Sequence, residues 1–147
     1  MKILTLIPIV LTIASASVAG KTNTIYADVQ VTNLAPTNDF IWERANKNTP
    51  KYPVELARSG TIGCAVLSFN ISDSGKTENI EVINSLPKKS LGKQSLKMLK
   101  KWEWVPTSTV ADSVPEKRTL RFDFCMGGES IEQAQNACVQ QTKLACG

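Results

Sequence analysis

The sequence predicts a small α+β domain built in the order strand, strand, helix, strand (ββαβ), followed by a helical tail. Three observations carry this. Apolar and polar residues alternate with period two from Thr61 to Ile71 and again from Arg118 to Met126, the signature of half-buried strands. Between them, Leu91, Ser95, Met98, Leu99 and Trp102 recur at helical spacing, which puts them on one stripe of a cylinder. Asp73-Ser74-Gly75-Lys76 closes the first alternating run, with Gly75 supplying the positive φ of a tight turn. A hairpin with one apolar face cannot bury that face alone, so the helix must cover it. A strand after the helix then pairs beside the first. The result is a three-stranded antiparallel/mixed sheet of order 2-1-3, with outer strands parallel and joined by a right-handed crossover.

The elements follow in order. Lys2, the apolar run from Ile3 to Ile13 and the small residues ending at Ser17-Val18-Ala19 have the make-up of a secretory signal peptide, residues 1–19, with cleavage expected after Ala19. The alternative is an uncleaved anchor, but that run is shorter than the roughly 20 apolar residues of a spanning helix. No cysteine stands near the cleavage point, which argues against a lipoprotein. Residues 20–49 form an N-terminal extension. Its weak alternation from Ile25 to Val31 suits a short edge strand, Asn33 to Asn38 has a loop composition, and Phe40, Ile41 and Trp42 should pack onto the rest.

Pro50-Lys51-Tyr52-Pro53 is an extended entry, because a residue before proline is pushed out of the helical region. Val54 to Arg58 can make a helical turn with Pro53 near its start, ended by Ser59-Gly60. In the first main strand Ala65, Leu67, Phe69 and Ile71 share one face, and Cys64, Val66, Ser68 and Asn70 the other. The returning strand is centred on Asn79 to Ile83. Ser85 and Pro87 open the helix, and Lys93, Lys97, Lys100 and Lys101 form its solvated side. Trp102 and Trp104 bracket the helix end as core anchors, and Pro106 stops it. After a loop from Thr107 to Glu116, Leu120, Phe122 and Phe124 alternate with Arg121, Asp123 and Cys125 in the third strand, broken by Gly127-Gly128. In the tail, residues 127–147, Ser130-Ile131-Glu132-Gln133 fits a capping box, with Ile131, Ala134 and Cys138 on one face.

Composition excludes several functions. The chain has 147 residues, 42% hydrophobic and 20% charged, with a net charge of +4 that falls to +3 without Lys2. The charge is mild and dispersed, which speaks against nucleic-acid binding. Histidine is absent, removing the usual general base and metal ligand. Asp73, Glu78 and Glu81 fall in a turn or on an exposed strand face, where solvation is their expected role. No enzyme, cofactor or metal site is therefore expected. Four cysteines, Cys64, Cys125, Cys138 and Cys146, enter an oxidising compartment as two disulfides with three connectivities. None of their spacings is C-x-x-C, so neither a zinc knuckle nor a redox motif is indicated.

Pro50-Lys51-Tyr52-Pro53 with Ala57, the hairpin Gly63 to Ile71 ending at Gly75, Asn79-Ile80-Glu81-Val82 with Ser85, and Lys101-Trp102-Glu103-Trp104-Val105-Pro106 occur in an order and spacing that resembles the C-terminal domain of the TonB family. The resemblance covers Pro50 to Met126. It implies a periplasmic, non-enzymatic module of envelope transport whose third strand offers a free edge. A short segment of an outer-membrane receptor, or of another periplasmic protein, would add to that edge as a further strand. By position the augmenting edge is Lys117, Arg118, Thr119, Leu120, Arg121, Phe122, Asp123, Phe124 and Cys125. The entry segment Thr49, Pro50, Lys51 and Tyr52 would lie near the receptor. The alternative is an envelope scaffold that self-associates as a homodimer through the same edge. A cleavable signal in place of the family's anchor, the missing Ser-and-His anchor motif and the missing Pro-rich spacer imply recognition without transmission of proton-motive force.

The cysteines can be weighed against this fold. Cys64 begins the first strand and Cys125 ends the third, on the face away from the helix, so a Cys64–Cys125 bridge fits antiparallel neighbours. Cys138–Cys146 would be the second bridge. The rival pairing joins sheet to tail, for instance Cys125–Cys138. A tail docked along the third strand would cover the binding edge, whereas a tail on the open sheet face would leave it free.

Overall fold

The computed structural model describes residues 20, 23–108 and 114–147. The expected signal peptide, residues 1–19, lies outside the described residues. The elements are β1 (Gln30–Ala35), β2 (Trp42–Arg44), α1 (Val54–Arg58), β3 (Gly63–Ile71), β4 (Thr77–Leu86), α2 (Lys89–Leu99), β5 (Trp104–Pro106), β6 (Glu116–Phe124) and α3 (Ile131–Gln141). No helix of the described residues is long and apolar enough to cross a membrane.

The expected hairpin and its third strand are present. β3 pairs antiparallel with β4 and, on its other side, with β6 from Gly63↔Phe124 to Ile71↔Glu116. That is the order 2-1-3, with β4 and β6 parallel to each other. A fourth strand extends it: β1 pairs antiparallel with β6, Gln30↔Asp123 to Ala35↔Thr119, so the sheet runs β1-β6-β3-β4. Strand structure thus includes Asn33, Leu34 and Ala35, where the sequence suggested loop. β2 and β5 make a separate two-stranded ladder, Trp42↔Pro106 to Arg44↔Trp104.

The core lies between one face of the large sheet and a layer of α2, α1 and the β2–β5 ladder. Ala65, Leu67, Phe69 and Ile71 from β3 and Leu120, Phe122 and Phe124 from β6 meet Leu91 and Leu99 of α2, Leu56 of α1, and Trp42 and Trp104, all buried. This is the period-two face and the helical stripe read from the sequence. Trp104 is a core anchor, stacked 5.6 Å from Phe69 between ring centroids. Trp102 is only partly buried. Ser85 does not cap α2 at its first residue; it closes β4, donating through Oγ to the carbonyl of Lys88 and accepting from the amide of Gly92 at 2.8 Å.

The tail packs on the other face of the sheet. Ser130 caps α3, its Oγ accepting from the Gln133 amide, while the Gln133 side chain accepts from the Glu129 amide. Ala134 and Cys138 are buried against Ala27 and Cys125, but Ile131 is 62% exposed and takes no part in that contact. The disulfides are Cys64–Cys146 and Cys125–Cys138. The expected Cys64–Cys125 and Cys138–Cys146 bridges are therefore replaced by the rival arrangement that ties sheet to tail. The register supplies the reason. Cys64 sits opposite Asp123, not Cys125, and diagonal neighbours across a ladder stand about 7–8 Å apart, beyond the roughly 4.4–6.8 Å Cα span of a disulfide. The bonded pairs have Cα separations of 6.0 Å and 5.4 Å.

Candidate functional site

The residues of the expected augmenting edge are not an edge in this structure. β6 lies inside the sheet, and β1 occupies the backbone side that the three-stranded reading left free. Most β6 side chains are also committed. Leu120, Phe122 and Phe124 belong to the core, Cys125 is bridged to Cys138, and only Lys117 is exposed, with Thr119 half-buried.

The two arginines of β6 work as internal staples, one on each face. Arg118 pairs with Glu116 and donates from NH2 to the carbonyl of Trp42 at 2.8 Å. Its guanidinium lies 4.7 Å from the Phe40 ring centroid and 4.8 Å from that of Trp104, a geometry in which cation–π attraction contributes. Glu116 accepts the Ile41 amide at 2.8 Å. Together these groups pin the segment leading into β2 against the core. On the opposite face Arg121 pairs with Asp123 and donates to the carbonyls of Gln141 and Leu144, which holds the end of α3.

The entry segment is placed beside β1. The Val29 amide donates to the Pro50 carbonyl at 3.2 Å, and Lys51 pairs with Asp28 at 3.7 Å. Tyr52 packs against Tyr26 and Phe124, centroids 5.1 Å and 5.8 Å away, and its hydroxyl donates to the Thr61 carbonyl at 2.5 Å. Burial, with a smaller contribution from Tyr26, holds the Tyr52 phenol well above its ordinary value. Tyr52 is thus an anchor, while Thr49 and Lys51 are exposed.

Two clefts adjoin this corner and share Arg44, Thr49, Pro50 and Trp102 as walls. One, of about 860 Å³, runs between residues 44–55 and α2, where Lys97 and Lys101 line it. The other, of about 630 Å³, lies under β1, against Val31, Trp104, Arg118 and Leu120. Their shared cation is Arg44. Its guanidinium lies 4.5 Å from the Trp102 centroid and donates to the Asn48 carbonyl. Burial lowers its pKa from the ordinary arginine value. Among the described residues no carboxylate pairs with it: Glu43 is taken by Lys47 at 2.6 Å and Glu103 by Lys76 at 2.7 Å. The sequence reading includes neither Arg44 nor β1 among the site residues, and its short edge strand over Ile25 to Val31 overlaps β1 only at Gln30 and Val31. The weak alternation near Val31 was the one local signal, and nothing adjacent in sequence marks Arg44.

Among the described residues no group of three or more His, Cys, Asp or Glu side chains could hold a metal ion. Among the described residues the arrangement offers a strand edge without a partner strand, aromatic walls and a guanidinium without a carboxylate partner, which suits binding of a chain segment.

No curated protein matches the chain. Among solved structures, the solution NMR structure of the Pseudomonas aeruginosa TonB C-terminal domain matches at 22% identity and a TM-score of 0.48, covering 63% of this chain and 92% of that one. The family model described as "Gram-negative bacterial TonB protein C-terminal" matches residues 48–126, which takes in the entry segment, both strands of the hairpin, α2 and β6. The chain belongs to the TonB C-terminal family.

Proposed function

We propose that this protein is a periplasmic binding module of envelope transport. It takes an extended segment of an outer-membrane receptor, or of another periplasmic protein, as an added strand at the β6 end of its sheet. Strand addition draws affinity from backbone hydrogen bonds and selectivity from alternate side chains. In this reading residues 117–125, which are β6 and the residue after it, form the scaffold on which the added strand is built, and residues 49–52 flank it. The observation that carries the reading is the meeting of the entry segment with the end of the sheet, Val29 amide to Pro50 carbonyl, beside clefts walled by Trp102 and Arg44.

β1 lies on β6 at this end, so a partner strand either replaces β1 or extends the sheet beyond it. The binding function itself is tested by titrating the exported chain with extended peptides and following backbone amide shifts. Shifts are expected in β1, β6 and residues 49–52. Their absence at millimolar peptide concentration would sink the proposal.

A further inference from the structure

We infer that the acceptor edge is the outer side of β1 rather than β6, and that it receives a protein segment carrying a carboxylate, which Arg44 binds. This rests on the strand-addition reading and specifies its edge and its partner.

β1 is built into the fold. Val29 is 1% and Ala27 2% exposed, and Val31 packs on the main core. The chain leading to β1 is tied at two places: the Gly127 amide donates to the Ile25 carbonyl and the Ala27 amide to the Cys125 carbonyl just beyond β6, and the Val29 amide donates to the Pro50 carbonyl of the entry segment. A partner replacing β1 would have to break all of these contacts against a strand already tethered in place. A strand added outside Gln30 to Asn33 breaks none of the bonds that join β1 and its approach to β6.

The other end of the sheet is guarded. β4 shows two register irregularities against β3 and a positive φ of 51° at Asn79, features that bend an edge away from pairing. β1 is regular from Gln30 to Asn33, with one irregularity between Asn33 and Ala35. Among the described residues its outer side carries no partner strand.

A strand added there sends alternate side chains to the face occupied by α2, where the cleft of about 630 Å³ lies, within the usual range of about 300–1,000 Å³ for small-ligand pockets. Among the described residues Arg44 lines that cleft without a carboxylate partner, half-buried against Trp102. A partly desolvated guanidinium gains most from an anion, and its planar fork matches a carboxylate. Asp28 and Glu43 on the same walls are already paired with Lys51 and Lys47, so they do not reverse that preference.

The test uses the exported chain and eight-residue peptides of alternating threonine and valine, each with one glutamate at a different position, together with their glutamine counterparts. Amide shifts and slowed hydrogen exchange are expected on Gln30 to Asn33 for the best glutamate peptide. Arg44→Gln should weaken that peptide about tenfold, the order expected for a charge-assisted hydrogen bond, and the glutamine peptide should lose the same amount on the wild type and nothing further on the variant. A disulfide staple, Ala35→Cys with Thr119→Cys at a paired position, holds β1 on β6 and should leave binding unchanged. Loss of binding in the stapled protein, with β6 amides shifting in the unstapled one, would overturn the inference and leave strand addition on β6 standing. Binding indifferent to Arg44→Gln would overturn the carboxylate assignment. No binding by any peptide would overturn the inference and the function together.

Discussion

Arg121 and Asp123, two residues apart on the same face of β6, form a two-pronged ion pair, Nε to Oδ2 at 2.8 Å and NH2 to Oδ1 at 2.9 Å, with Asp123 fully buried. The pair is a joint between sheet and tail. Gln141 donates from its side-chain nitrogen to Oδ1 of Asp123 at 3.0 Å and to the Gly63 carbonyl at 2.8 Å. Arg121 returns two bonds to the carbonyls of Gln141 and Leu144. Replacing Asp123 by alanine leaves a buried guanidinium without its anion, which costs about 3–5 kcal/mol. The joint replacement Arg121→Met with Asp123→Leu should recover much of that loss. Urea unfolding of the three proteins measures both effects.

The two disulfides should differ in weight. Cys64–Cys146 closes a separation of 82 residues and Cys125–Cys138 one of 13. In the chain-entropy model the long loop contributes about 4–5 kcal/mol and the short one about 3 kcal/mol. The paired change Cys64→Ser with Cys146→Ser should therefore lower stability more than Cys125→Ser with Cys138→Ser. Non-reducing proteolysis followed by mass measurement should recover peptides joined in this pattern.

Tyr52 predicts an alkaline limb. Its pKa is raised from 10.0, chiefly by burial and then by Tyr26, so the folded state holds the phenol proton more tightly than the unfolded chain does. That contribution is fully present below about pH 10 and is lost as pH rises above it. Tyr52→Phe should flatten the fall in stability on this alkaline side. It should also cost about 1 kcal/mol at neutral pH through the lost bond to the Thr61 carbonyl. Unfolding midpoints measured across the pH range for both proteins check the two effects.

Gly75 tests the contact between the hairpin turn and β5. It has a φ of 75°, and a Cβ there would stand 2.2 Å from the Trp104 carbonyl oxygen. The Trp104 amide donates to the Gly75 carbonyl at 3.0 Å, so neither chain can retreat without breaking a bond. Left-handed strain alone costs about 1–3 kcal/mol. Gly75→Ala should exceed the middle of that range and change the fluorescence of Trp104, readable against the Gly75→Asn variant, which tolerates the φ better but not the contact.

Much of the fold was legible because its signals are local. The alternation through Ala65, Leu67, Phe69 and Ile71, the stripe from Leu91 to Leu99 and the cap at Ser130 each depend on residues a few positions apart, and each appears as read. The site was less legible. Position alone marks Arg118 and Arg121 as edge residues, yet each is drawn into a buried network. Glu116 reaches the Ile41 amide and Arg118 the Trp42 carbonyl, 75 and 76 residues away, and no pattern near either arginine announces those partners.

The sequence by itself determined the strand, strand, helix, strand order of the central domain, the faces that β3, α2 and β6 bury, the pairing of β3 with β4 and β6, and the family. These follow from side-chain periodicity and from motif spacing along the chain. Only the tertiary structure decided that β1 covers β6, that the tail takes the open face of the sheet, which cysteines meet, and that Arg44 has no carboxylate partner among the described residues. The physical reason is that these four are set by register. A shift of one residue turns every side chain of a strand to the other face, and the Cys64↔Asp123 alignment that separates Cys64 from Cys125 exists only once β3 and β6 have paired.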